Sequence, residues 1–222
     1  MTAVRAVVFD FDGVLADTER LHLRGFQEVL APCGLPLDEA TYYADYLGYD
    51  DRGLVVQLAR DRGVTLDAGT LAGILEAKAR RFAALLGAGA ALFPAAPSCV
   101  ARLGARFPLA IASGALRHEI VTILDGAGLT PAFGAIIGAD DVAASKPAPD
   151  SYLEATRRLG VAPTSAVAIE DSTWGLDAAR TAGLRTIAIT TSYPATALQR
   201  ADVVISSLDE VTEALVERLL NR

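Results

Sequence analysis

Two carboxylates, Asp10 and Asp12, stand two residues apart in the run Asp10-Phe11-Asp12-Gly13, directly after the apolar stretch Ala6 to Phe9. At the end of a buried strand, both would project into a ligand crevice, where carboxylates are seldom placed for stability. The plainer alternative is a strand-to-loop turn in which Asp10 caps an amide and Gly13 supplies a positive φ. Three later segments weigh against it. Leu109 to Ala112 runs into Ser113-Gly114, Lys146-Pro147 follows the Asp140-Asp141 loop, and Val167 to Ile169 runs into Glu170-Asp171-Ser172. Each is weak alone, since a Lys-Pro pair is common in solvated loops and a Glu-Asp pair often caps the next helix. Together they supply the parts of phosphoryl transfer through a covalent carboxylate. A carboxylate attacks phosphorus only when the phosphate's own charge is neutralised, which calls for a hard divalent cation on oxygen ligands. Asp10, Asp12, Glu170 and Asp171 offer that oxygen set. Lys146 would hold a neighbouring negative charge and Ser113, beside Gly114, would donate to a phosphate oxygen. Asp12 is left to protonate the leaving oxygen and then to deprotonate water.

These residues need a frame that brings distant segments to one edge. Short apolar or β-branched runs at Ala6 to Phe9, Leu109 to Ala112, Ala135 to Ile137, Val167 to Ile169, Thr186 to Ile189 and Val203 to Ile205 have the form of buried parallel strands. Between them lie amphipathic helical stretches at Leu116 to Ala127, Ser151 to Leu159, Thr173 to Ala182 and Leu208 to Leu220. The alternation predicts an α/β fold, a doubly wound parallel sheet that binds ligands at the carboxyl ends of its strands. The segment after Asp17-Thr18-Glu19 carries no strand and shows helical spacing at Thr18 to Leu30, Glu39 to Leu47, Asp51 to Arg62 and Thr70 to Leu86. The expected organisation is therefore an all-α insertion at 16–90 within a Rossmann-like core of 1–15 and 91–222. The Gly-Ala run at 87–90, with Pro94 and Pro97 after it, reads as a return linker.

The strand ends together resemble the haloacid dehalogenase (HAD) superfamily, all four of whose motifs are matched: Asp10 to Val14, Ser113, Lys146 and the Glu170-Asp171 pair. The resemblance extends over essentially the whole chain. It implies an aspartyl-phosphate at Asp10 and acid/base work by Asp12. It also implies Mg²⁺ held by Asp10, the main-chain carbonyl of Asp12 and the Glu170-Asp171 region, with Asp171 a direct ligand and Glu170 a ligand or its support. Asp at position 12 points away from dehalogenases and toward phosphate chemistry. The insertion is similar to the small cap of the branch that includes phosphoglycolate phosphatases and β-phosphoglucomutases. His22 and Lys78 fall where the mutases carry a His and a cap Lys near the substrate; the plainer readings are a helix residue without a task and a solvated face shared with Arg80 and Arg81. The mutases also carry a cap-loop Arg and a Ser/Lys pair after the second motif, which grip a second phosphate. Here the corresponding residues are Asp51, with Arg52 next to it, and Gly114-Ala115-Leu116. Only Arg52, Lys78 or Arg117 remain to replace that grip. The expectation is therefore a phosphatase of small phosphate esters, with His22, Arg52 and Lys78 as candidate substrate contacts and a β-phosphoglucomutase-like activity as the alternative. Tyr42, Tyr43 and Tyr49 are further cap residues that substrate contact or core packing would equally explain.

Other classes fit less well. A signalling receiver domain also combines acidic residues, Mg²⁺, Ser/Thr and Lys, but it is half this length and places its acidic pair first. A catalytically silent binding protein would have lost one of Asp10, Asp12, Lys146 or Asp171, and all are present. Lys and Arg number 20 against 27 Asp and Glu, with no basic block, which argues against nucleic acid as a partner. No apolar run reaches the length of a membrane span, and Cys33 and Cys99 are isolated, so the expectation is a cytoplasmic monomer that meets neither membrane nor nucleic acid.

Overall fold

The computed structural model describes residues 5–47, 49–87 and 92–221. In chain order the elements are β1 (Ala6–Phe9), α1 (Glu19–Leu30), α2 (Glu39–Thr41), α3 (Asp51–Asp61), α4 (Ala68–Gly87), α5 (Ala96–Gly104), β2 (Leu109–Ala112), α6 (Arg117–Gly126), β3 (Phe133–Ile137), α7 (Asp150–Leu159), β4 (Ala166–Glu170), α8 (Thr173–Ala182), β5 (Arg185–Ile189), β6 (Val203–Ile205) and α9 (Glu213–Leu220). The chain divides into two compact units, one of residues 1–17 with 91–222 and one of residues 18–90.

In the larger unit all strand pairs are parallel, in the order β3-β2-β1-β4-β5-β6. β1 is central because every residue of Ala6–Phe9 is buried and apolar, which suits a strand covered on both faces. Its alternation sorts side chains by size. Val7 and Phe9 face a layer with Ile111, Ile169 and residues of α5, α6 and α9, whereas Ala6 and Val8 share the opposite layer with Ala110, Ala112, Ala168 and helices α7 and α8. That second layer is rich in alanine on both sides, including Ala155, Ala178 and Ala179, so these helices pack close to the sheet.

The strand order reverses at β1, and Phe9 lies level with Ile111 of β2 and Ile169 of β4. The residues just beyond these partners, Asp10, Ser113, Glu170 and Asp171, therefore emerge along one edge at the topological switch point.

The helical unit has its own core, in which Leu23, Phe26 and Leu30 of α1 meet Leu54, Val55 and Leu58 of α3 and Leu71 and Ile74 of α4. α3 begins at Asp50, whose carboxylate accepts the Gly53 amide at 2.6 Å. The expected helix at Glu39 to Leu47 is instead one turn of α2 followed by a π-helical turn over Tyr42–Tyr46. Tyr42 and Tyr46 are buried there and donate to Glu19 and Asp61 at 2.6 and 2.7 Å.

Two further departures have local causes. α5 occupies a stretch in which Pro97 suggested only linker; at the second position of a helix proline gives up no needed hydrogen bond and supplies a suitable φ. The expected helix from Leu208 to Leu220 is divided, because Thr212 accepts the Leu215 amide at 3.2 Å and starts α9 afresh. Residues 88–90 of the expected linker lie outside the described residues. Among the described residues no helix is long and apolar enough to cross a membrane.

Candidate active site

Asp10 follows β1, and its amide donates to the Ile169 carbonyl of β4 at 2.9 Å, which continues the strand pairing through the residue itself. The chain then turns tightly. The Leu15 and Ala16 amides both return to the Phe11 carbonyl, at 2.8 and 2.9 Å, and Gly13 takes a φ of +75°. Gly13 is required for space as well as for conformation: a Cβ there would lie 1.9 Å from Asp171 Oδ2. The loop thus seats its backbone directly against the second acidic segment. Asp12, partly buried, belongs to this turn.

Lys146 closes the opposite side of Asp10. Its Nζ stands 2.8 Å from Asp10 Oδ1 and 2.6 Å from Glu170 Oε1, and 5.1 Å from the centre of the Tyr152 ring. The approach to Asp10 is a charge contact without hydrogen-bond alignment, so Asp10 Oδ1 is buried with no hydrogen-bond partner.

Glu170 differs from its neighbours. It is fully buried, and both oxygens are occupied: Oε1 by Lys146 and by the Tyr152 hydroxyl at 2.9 Å, Oε2 by the Asp171 amide, the Ser172 amide and the Ser172 hydroxyl at 3.0, 3.1 and 3.0 Å. A Cβ on Gly175 would lie 1.7 Å from Glu170 Oε1, so this helical glycine makes room for the carboxylate. Asp171 is buried as well and accepts the Ser192 hydroxyl through Oδ2.

Asp10, Glu170 and Asp171 each present an oxygen within 4.8 Å of the others. Three carboxylates face one ammonium, which leaves two negative charges uncompensated when all are ionised. Burial, reinforced by Glu170 and Asp12 against the pull of Lys146, raises the Asp10 carboxyl to about 7. Asp171 is raised well above the usual carboxylate range by burial and then by Glu170 and Asp10. Burial alone would lower the Lys146 ammonium, but Asp10 and Glu170 outweigh it and raise it. A cluster with two excess charges and an orphaned buried oxygen fits a divalent cation on hard oxygen ligands.

At the end of β2, Ser113 is buried and its amide donates to the Ile137 carbonyl at 3.0 Å. Its Oγ accepts the Ala115 amide at 3.0 Å, which leaves the hydroxyl hydrogen without an acceptor among the described residues. Gly114 beside it is exposed. Arg117 is turned away to the Ile136 carbonyl and to Asp141 at 3.7 Å.

The helical unit holds the remaining candidates. Lys78 is not on a solvated face: it is 2% exposed, with Nζ 2.7 Å from both Asp51 oxygens and 2.7 Å from His22 Nδ1. The rings of Phe26 and Phe82 lie beneath the ammonium at 4.9 and 4.6 Å. Arg52, one residue beyond Asp51, is exposed and joins no such cluster.

Tyr152, Ser192, Ser172 and Gly175 are the supporting residues that sequence reasoning passed over. Only Gly175 carried a signal, as a glycine in the first turn of an otherwise regular helix.

Comparison with known proteins identifies relatives of this chain. Residues 4–183 match the haloacid dehalogenase-like hydrolase family. The plasmid-encoded protein CbbY of Cupriavidus necator is 34% identical over 230 residues, spanning 97% of this chain and 90% of that protein. The fructose-1-phosphate phosphatase YqaB of Escherichia coli K12 is 32% identical, over 80% of this chain and 92% of its own. Among solved structures, CbbY from Rhodobacter sphaeroides in complex with phosphate superposes with a TM-score of 0.85 at 32% identity, covering 96% of this chain and 99% of that one. The chain belongs to the haloacid dehalogenase-like hydrolase family, in the branch of phosphoglycolate phosphatases and β-phosphoglucomutases, and is a phosphomonoester hydrolase of that family.

Proposed function

We propose that this enzyme hydrolyses a small phosphorylated metabolite through a phosphoryl group carried on Asp10, with Mg²⁺ as cofactor and the helical unit acting as the cap that takes the rest of the substrate. The observation that carries the reading is the buried group of Asp10, Glu170 and Asp171 around Lys146, short of two positive charges, at the switch point of the sheet.

An Asp10 carboxylate oxygen attacks phosphorus, and the bond from phosphorus to the ester oxygen breaks. Asp12 gives its proton to that departing oxygen, so the leaving group departs as an alcohol. Asp12, now ionised, takes a proton from a water molecule that attacks the same phosphorus. The bond to Asp10 breaks, inorganic phosphate is released, and both aspartates return to their starting states. Ser113 donates its unused hydroxyl hydrogen to a phosphoryl oxygen, Gly114 lets the backbone approach, and Lys146 holds the phosphoryl charge. Asp10, Asp171 and the main-chain carbonyl of Asp12 would hold the cation, which when bound neutralises the phosphate and lets two anions meet. Glu170, with both oxygens occupied, serves as the anchor that fixes Lys146 and the Asp171 loop.

Hydrolysis is favoured over a sugar-phosphate mutase because Lys78 and Arg117, two of the three cations available for a second phosphate, are engaged within the protein. The names of the relatives, among them a fructose-1-phosphate phosphatase, support a soluble sugar- or polyol-type ester as substrate. The same reading makes the enzyme a cytoplasmic monomer. Phosphate release from a panel of sugar phosphates, phosphoglycolate and nucleoside monophosphates, with Mg²⁺ and with EDTA, tests the proposal. Metal-dependent release by the wild type that is lost in Asp10→Asn supports it, whereas release that persists in Asp10→Asn rejects it.

A further inference from the structure

The turn after β5 brings two hydroxyls to the acidic segments of the core. Sheet pairing runs one residue past the strand, where the Thr190 amide donates to the Ile205 carbonyl at 3.0 Å. Three residues on, Tyr193 packs against Leu176 and Leu198. Thr191 and Ser192 are therefore held from both sides. Thr191 Oγ1 donates to the Gly13 carbonyl, and Ser192 Oγ donates to Asp171 Oδ2. Gly13 completes the enclosure, since a Cβ there would lie 1.9 Å from Asp171 Oδ2 and 2.8 Å from Ser192 Oγ.

The two oxygens of Asp171 are consequently unlike. Oδ2 accepts a hydroxyl and lies against the Gly13 backbone, whereas Oδ1 carries no hydrogen bond among the described residues. The main chain of Asp171 is fixed as well, by the bond from its amide to Glu170 Oε2 at 3.0 Å. What Ser192 removes is the remaining freedom, rotation of the carboxylate about its own bond. A carboxylate held this way offers a cation one oxygen. Offering both would mean giving up the Ser192 hydrogen bond and shifting the Gly13 turn. Cations differ in what they ask of such a group. Mg²⁺ is small and demands a near-octahedral set, whereas the larger Ca²⁺ takes about six to eight oxygens and readily uses both from one carboxylate.

We infer that Ser192 is a positioning residue of the cation site: it restricts Asp171 to one ligand oxygen and thereby makes the site prefer Mg²⁺ over Ca²⁺. This rests on the Mg²⁺-dependent reading above and adds the turn after β5 to that site.

The test measures Kd for MgCl₂ and for CaCl₂ from the concentration dependence of the melting temperature of the full chain, freed beforehand of other divalent ions. The wild type is expected to bind Mg²⁺ more tightly than Ca²⁺. Ser192→Ala is expected to raise the Kd for Mg²⁺ by about tenfold or more, the usual loss when a group that orients a metal ligand is removed. The Kd for Ca²⁺ should rise less or fall, because the freed Oδ2 can join Oδ1, so the ratio of the two constants moves toward Ca²⁺. Ser192→Thr, which keeps the hydroxyl, should recover at least part of the wild-type ratio. If Ser192→Ala does not fold, Ser192→Cys, of similar size and a weak donor, takes its place in the comparison. The melting temperature in EDTA separates a purely structural role: a variant that melts lower in EDTA but keeps both wild-type constants overturns the inference. So does an equal loss for the two cations, or a wild type that binds Ca²⁺ more tightly. In each of these cases Mg²⁺ binding by the wild type leaves the metal-dependent reading standing. A wild type whose melting temperature answers to neither cation removes that reading along with the inference.

Discussion

Gly175 is the position at which the structure makes its least intuitive prediction. In the first turn of α8, replacing glycine by alanine should add stability of about 1 kcal/mol from helix propensity alone. The added methyl, however, would sit 1.7 Å from Glu170 Oε1 and 1.9 Å from its carboxyl carbon. A flexible glutamate in solvent would swing aside. Glu170 is fully buried and tied to Lys146, Tyr152, Asp171 and Ser172, so moving it breaks a buried ion pair and its hydrogen bonds. Breaking such a pair costs about 3–5 kcal/mol. Set against the propensity gain, Gly175→Ala should destabilise by about 2–4 kcal/mol. Urea unfolding at neutral pH, read as a shift in midpoint at constant slope, measures it. Because Glu170 also sets Lys146, turnover should fall more steeply than stability. A variant as stable as the wild type, or more so, would refute the view that Glu170 is rigidly anchored.

Three other outcomes follow from the same geometry. Because the acidic cluster carries uncompensated charge, Mg²⁺ bound at 100 times its Kd should stabilise the folded protein by about 2.7 kcal/mol, and EDTA should reverse the gain; a melting temperature indifferent to both would contradict the metal site. His22 is held below its ordinary pKa in the folded state, so as pH falls through about 6.5 the unfolded chain binds a proton that the native one does not, and stability declines toward pH 5. His22→Gln should remove up to about 1.4 kcal/mol per pH unit of that slope in a difference measurement, and identical slopes in both proteins would count against the buried neutral ring. Asp12→Asn, which cannot relay a proton, should turn over slowly and accumulate phosphorylated enzyme, visible by mass spectrometry; turnover at the wild-type rate would remove Asp12 from the chemistry.

The strands and the chemistry were legible for one shared reason. Ala6–Phe9 and Ala166–Glu170 are short runs that are buried on both faces, so their apolar composition marks them, and the polar residues that end them stand out. What escaped is what local pattern does not encode. Tyr152 lies on a helix face like any core residue, and only the fold brings its hydroxyl to Glu170 across 18 positions. Lys78 sits beside Arg80 and Arg81, and nothing in that run distinguishes the lysine that will be buried against Asp51 and His22. The π-helical turn at Tyr42–Tyr46 reflects tertiary demands, since both tyrosines reach carboxylates elsewhere in the helical unit.

The measurement closest to the central claim is a rapid acid quench of the wild-type enzyme during turnover of a phosphate ester in Mg²⁺, followed by peptide mass spectrometry. The account predicts one phosphoryl group on the peptide containing Asp10, localised to that residue and absent both in EDTA and in Asp10→Asn. Steady release of phosphate with no adduct, or an adduct on any other residue, would contradict it.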